Sequence, residues 1–157
     1  MPQPGPRDSG SHRGSSRPAV LVGVDGSAAS RAAIVAAARE ASYRSAPLIA
    51  IRAYSGEQIQ RGAGPPDESD NGRTAESGLR DAVREVLGTE RAARVRVHAV
   101  LGLAGRKIVE TALQVNAQLI VLATHGSRSM LMGTVSQYVL RRAPCPVLVV
   151  PAQPAGR

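Results

Sequence analysis

Short apolar runs alternate along the chain with amphipathic stretches. Ala19 to Val24, Leu48 to Tyr54, Leu119 to Ala123 and Pro146 to Val150 are almost continuously apolar. Runs of this length predict strands buried on both faces of a parallel sheet. Residues 93–100 behave differently: Val95, Val97 and Ala99 alternate with Arg94, Arg96 and His98. That period of two predicts a strand with one wet face, as at a sheet edge, with His98 on the solvent side. Helices fill the intervals. Ser27 is placed to cap an alanine-rich helix over Ala28 to Arg44, with Ile34 and Val35 its larger apolar residues. Thr74 is placed to cap a second over Ala75 to Leu87, with Leu79, Val83, Val86 and Leu87 on one face and Gly88 as its stop. Gly102 to Gly105 turns into a third over Arg106 to Asn116, with Ile108, Val109, Ala112 and Leu113 on its buried face. Gly133-Thr134 opens a fourth. Ser55 to Arg73, with Pro65-Pro66, reads as a long irregular loop. Strands separated by helical crossovers must pair in parallel through right-handed connections. The pattern therefore predicts a three-layer α/β domain of five strands and four helices.

Composition narrows the picture. A chain of 157 residues suits one domain. Phe and Trp are absent and Tyr occurs three times, so the core must be aliphatic. Single-stranded nucleic-acid binding, which relies on aromatic stacking, is disfavoured. The formal charge of +8 rests on nineteen Arg and Lys107, but these are scattered along the chain. They read as a solvated surface, and a nucleic-acid partner is not expected. The lone Cys145, between two prolines, excludes an intramolecular disulfide and reads as a small buried residue. No apolar segment approaches the ~20 residues of a membrane span. Residues 1–18, rich in Pro, Gly, Ser and Arg, are expected to be a disordered basic tail without a secretory signal, and 152–157 a flexible end. A cytoplasmic protein with no membrane association follows.

Candidate chemistry gathers after the strand at Leu119 to Ala123. Thr124 to Met132 holds Gly126 and small polar residues, and Gly133-Thr134 then starts a helix. Free N–H groups and the helix dipole at such a junction favour an anion, here a phosphate on a nucleotide. Thr134 or Ser136 can add a hydroxyl. Asp25, in the turn after the first strand, has two readings: a hydrogen bond to ribose or a metal near phosphates, or an Asx turn into the helix. The sequence contains no G-x-G-x-x-G after the first strand, no P-loop and no nucleophile elbow. Ser27, Ser127 and Ser129 have no evident base, and His125 reads as shaping its loop or touching ligand through its ring. No metal-ligand spacing involves His98.

The opening Val20-Leu21-Val22-Gly23-Val24-Asp25-Gly26-Ser27, with Ser30, resembles the first strand and turn of the universal stress protein family. The closing Gly133-Thr134-Val135-Ser136 through Ala143-Pro144-Cys145-Pro146-Val147-Leu148-Val149-Val150 resembles its final helix and strand. The resemblance covers residues 19–151. It implies an open sheet of order 3-2-1-4-5, like that of the adenine-nucleotide alpha hydrolases, and a stress-response regulator that binds ATP, with or without Mg²⁺. It implies no catalytic residues and at most slow ATP hydrolysis. The adenine would lie at Ala53, the ribose at Asp25, the nucleoside along Leu122 and Ala123, and the phosphates at Gly126, Gly133, Thr134, Val135 and Ser136. A homodimer through Pro146 to Val150 is implied as well. ATP-binding members carry Gly, two residues, Gly, nine residues, Gly, then Ser or Thr. This chain has Ala123 at the first glycine and only six residues, Ser127 to Met132, between Gly126 and Gly133. Arg128 is the candidate to replace lost N–H contacts with charge. The alternatives are an interaction module that has lost nucleotide binding, with protein partners unnamed, and a basic nucleic-acid-associated protein.

Overall fold

The computed structural model describes residues 17–55, 68–124 and 133–152. The basic tail, most of the long loop, the segment carrying His125, Gly126 and Arg128, and the last residues of the C-terminus lie outside the described residues. Five strands, β1 (Ala19–Gly23), β2 (Leu48–Tyr54), β3 (Arg96–Leu101), β4 (Ala117–Ala123) and β5 (Val147–Val150), form one parallel sheet of order β3-β2-β1-β4-β5. The helices are α1 (Ala28–Tyr43), α2 (Glu68–Leu87), the single-turn α3 (Thr89–Ala92), α4 (Ala104–Gln114) and α5 (Thr134–Arg142).

The apolar runs are continuous because their strands feed two cores at once. Val20 and Val22 of β1, Leu48 and Ala50 of β2, and Leu119 and Val121 of β4 face α1 and α2. Their neighbours Ala19 and Leu21, Ile49 and Ile51, and Ile120 and Leu122 face α4 and α5. Leu21 pairs with Ile49 on one side and Ile120 on the other, and all three are essentially solvent-free. Strand β3 lies at the edge, with Arg96 and His98 exposed and Val97 packed on the first core, as its alternation predicts. On α1, Ala33, Ala37 and Ala41 form the buried stripe with Ile34. Their short side chains let the helix lie close to the sheet.

Three local expectations are corrected. First, α2 begins at Glu68, so Thr74 lies inside the helix and does not cap it. The early turns include Gly72, a weak helix former. A Cβ there would sit 2.9 Å from the Tyr54 hydroxyl, so glycine lets the helix pass the end of β2. Second, Gly88 does stop α2, at φ 78°, but it also starts the unforeseen α3. Third, α4 begins at Ala104 and buries Ile108, Thr111 and Ala112, leaving Leu113 64% exposed. The i, i+3, i+4 stripe from Ile108 takes in a threonine and rotates the leucine outward.

Candidate functional site

The order of the strands creates the site. From β1 the chain moves through β2 to the edge at β3, then α4 carries it back past β1 to β4. Connections therefore leave β1 and β4 toward opposite sides, and a crevice opens beyond their carboxyl ends. That crevice is a cleft of about 340 Å³. It is lined by Asp25 after β1, Ala53 of β2, Leu122 and Ala123 of β4, and Gly133, Thr134, Val135 and Ser136 at the start of α5. Eight of the ten residues singled out from sequence thus meet around one opening; Gly126 and Arg128 lie outside the described residues.

The turn after β1 is built by its own polar atoms. The Ser27 N–H donates to Asp25 Oδ1 at 2.9 Å, the Asx turn that was one of the two readings. The same residue lines the cleft, so the two readings are compatible. Ser27 then caps α1: its Oγ accepts the Ser30 N–H at 3.3 Å, and the Ser30 hydroxyl returns a bond to the Ser27 carbonyl at 2.7 Å. Gly26 holds φ 84°, a left-handed conformation that glycine adopts freely. A Cβ on it would lie 3.4 Å from Arg52 Nη2, and one on Gly78 of α2 would lie 3.3 Å from Arg52 Nη1. The Arg52 guanidinium therefore packs between the turn and α2.

The opposite wall is the start of α5. Gly133 occupies the N-cap at φ −59° without a side-chain cap. The Gln137 N–H bonds the Gly133 carbonyl at 3.1 Å, so the N–H groups of Thr134, Val135 and Ser136 precede the helical ladder. They carry the positive end of the helix dipole. Thr134 is exposed, whereas Ser136 is buried at 5% and lines the cleft. The floor is apolar: Ile51, Ile108 and Leu122.

Sequence reasoning missed Gly23, Val24, Ser30, Ile51, Ala104 and Ile108 as cleft residues. Gly23 carried a readable signal, a glycine inside an apolar strand, which often marks close backbone approach. Ala104 and Ile108 arrive from α4, and nothing local in the sequence places them there. Cys145 is half-buried against the second core, and burial pushes its thiol above the ordinary value. Among the described residues no three His, Cys, Asp or Glu side chains gather to hold a metal ion, and no helix is long and apolar enough to cross a membrane.

Comparison with known proteins meets this geometry at the level of the whole domain. The chain is 38% identical over 135 residues to a universal stress protein of Mycobacterium tuberculosis, an alignment covering 83% of this chain and 44% of that one. It thus spans less than half the length of that relative. It is 29% identical over 135 residues to universal stress protein A homolog 1 of Coxiella burnetii, covering 83% of this chain and 94% of that one. A universal stress protein crystallised in complex with cAMP superposes with a TM-score of 0.64 at 26% identity, covering 88% of this chain and all of the other. Residues 17–151 match the model of the universal stress protein family, and with the sheet order and both end motifs in agreement, the chain belongs to that family.

Proposed function

We propose that this chain is a cytoplasmic stress-response domain that binds an adenine nucleotide, ATP, in the cleft between β1 and β4. One observation carries the reading: a carboxylate, an apolar floor and a helix start with free N–H groups converge on one opening at the switch point. The 340 Å³ volume suits the nucleoside part of such a ligand, since ligand pockets run from about 300 to 1,000 Å³. The complex of the cAMP-bound relative supports the ligand class. The base would rest by Ala53 and Ile51, with the ribose near Asp25. The phosphates would accept from the N–H groups of Thr134, Val135 and Ser136, with Gly126 and Arg128 completing the cradle. A triphosphate would bring Mg²⁺ with it.

The domain acts by binding, not by efficient catalysis. The Ser30 hydroxyl in the cleft is committed to a backbone carbonyl, which supports this reading. The functional unit is a homodimer formed by antiparallel pairing of β5, whose outer edge carries the partly exposed Leu148.

Calorimetric titration with ATP and Mg²⁺, beside AMP and cAMP, tests the ligand. Binding is expected in the micromolar range and should be lost in Gly133→Val, whose side chain would fill the approach to the α5 N–H groups. The second reading, an interaction module without nucleotide, draws on Ala123, whose methyl group occupies the cleft lining where the family's binding members carry glycine. Absence of heat and of thermal shift with all three nucleotides would establish that reading instead.

A further inference from the structure

The larger depression, about 730 Å³, lies at the opposite end of the molecule, where the amino ends of the strands meet the carboxyl ends of α1 and α2 and the short α3. Val35 and Ala38 of α1, Val86 and Leu87 of α2, and Leu48 and Val95 form its apolar surface. Arg39, Arg91 and Arg94 line it as well, and all three are exposed. Among the described residues no carboxylate lines it.

Among the described residues no ion pair neutralises the charge of this cluster. Several other arginines are matched, Arg31 with Glu85, Arg80 with Glu76, Arg84 with Asp81, and Arg106 with Glu110, while Arg17, Arg52, Arg73, Arg96 and Arg141 stand outside these ion pairs and do not line the depression. Among the described residues no ion pair or hydrogen bond engages the guanidinium of Arg39, Arg91 or Arg94. The nearby Glu40 is held by Arg44 at 3.1 Å, and Glu90 of α3 does not line the depression. Hydroxyl groups stand beside the arginines: Ser42, Ser45 and Tyr43, the last 83% exposed. Ser45 keeps its side chain at φ 49°, a left-handed conformation in which glycine would be relaxed.

We propose that this depression is a second ligand site, distinct from the nucleotide cleft, for a small amphiphilic phosphate. The phosphate would bind the arginines and hydroxyls, and the apolar body would lie along Val35, Val86 and Leu87. Guanidinium groups match phosphate oxygens in paired hydrogen bonds, and a dianionic head suits three cations better than a single carboxylate does. The volume falls within the ~300–1,000 Å³ of small-molecule sites. Arginines, hydroxyls and apolar side chains line the same depression, so one small ligand can engage all three.

The test is titration of the ¹⁵N-labelled full chain with octyl phosphate below its micelle concentration, and separately with inorganic phosphate. Saturable shifts are expected at the amides of Ser42 to Ala46 and Arg91 to Val95. Octyl phosphate should bind more tightly than inorganic phosphate, by about fourfold for each methylene buried. Arg91→Ser with Arg94→Ser should weaken octyl phosphate by at least roughly tenfold, given the strength of charge-assisted hydrogen bonds, without moving the thermal midpoint. Gly133→Val, which blocks the nucleotide cleft, should leave octyl phosphate affinity unchanged. Two parallel arms use duplex DNA and phosphatidylserine vesicles. Equal affinity for the two phosphates, or an arginine variant that binds like the parent, would overturn the proposal. So would DNA or vesicle binding that depends on these arginines while octyl phosphate fails to bind, since the surface would then serve an extended polyanion.

Discussion

Gly23→Ala tests how tightly the end of β1 is packed under the nucleotide cleft. An added Cβ would stand 2.7 Å from Leu122 Cδ2 and 3.1 Å from Ile108 Cδ1. Both neighbours are buried, each 4% exposed, and both line the cleft. Gly23 does not hold a left-handed φ, so the effect is one of space and not of backbone strain. Overpacking a core by one methyl costs about 1–3 kcal/mol. Restricting the unfolded chain by Gly→Ala returns about 0.4–1 kcal/mol. The net loss is then up to about 2.6 kcal/mol, centred on about 1.3, or a fall in Tm of roughly 3–5 °C at the centre for a domain of this size. Relief requires Leu122 or Ile108 to swing toward the cleft, so ATP affinity should fall together with stability. The comparison is Gly133→Val: φ there is −59° and, among the described residues, no atom lies within 4 Å of a new Cβ. That variant should lose at most about 1 kcal/mol through the poorer cap while abolishing ATP binding. Scanning calorimetry of both variants, with and without ATP, separates the two effects. A Gly23→Ala protein with unchanged Tm and unchanged affinity would refute the packing account of the cleft floor.

Ser27→Ala removes the N-cap of α1 and should cost about 1 kcal/mol in denaturant unfolding; Ser27→Asn should recover most of it. Ile108→Ala should cost about 2–5 kcal/mol as a buried truncation, whereas Leu113→Gln on the same helix should stay within about 0.5 kcal/mol; equal losses at the two positions would contradict the observed rotation of α4. Because burial raises the Cys145 thiol above its ordinary value, the folded state holds that proton more tightly than the unfolded chain does. The resulting stability is complete below the ordinary thiol value and is lost as pH rises through the raised one. At neutral pH the thiol should therefore react with iodoacetamide more slowly than free cysteine, and a rate equal to that of free cysteine would rule this out.

The sequence by itself determined the local elements and the class of fold. Continuous apolar runs at Ala19 to Val24 and Leu119 to Ala123 admit only strands covered on both faces, and the edge position of β3 was written in the alternation of Val95 and Val97 with Arg96 and His98. Ser27 and Gly88 marked helix boundaries because capping and left-handed turns are chemistry of one or two residues. The motifs at the two ends of the chain also pointed to Asp25 and to Gly133 through Ser136, although more than a hundred positions separate them. What only the tertiary structure decided is how far elements extend and what packs across them. Thr74 looked like a cap, yet α2 runs through it because Gly72 fits past Tyr54, a contact between distant segments. Leu113 looked buried, yet the phase of α4 is set by Ile108 and Ala112 meeting the sheet. Ala104 and Ile108 reach the cleft only because the strand order returns α4 across β1. The unpaired group of Arg39, Arg91 and Arg94 comes from two helix ends and a loop; the charge of each was legible in the sequence, but their convergence required the folded chain.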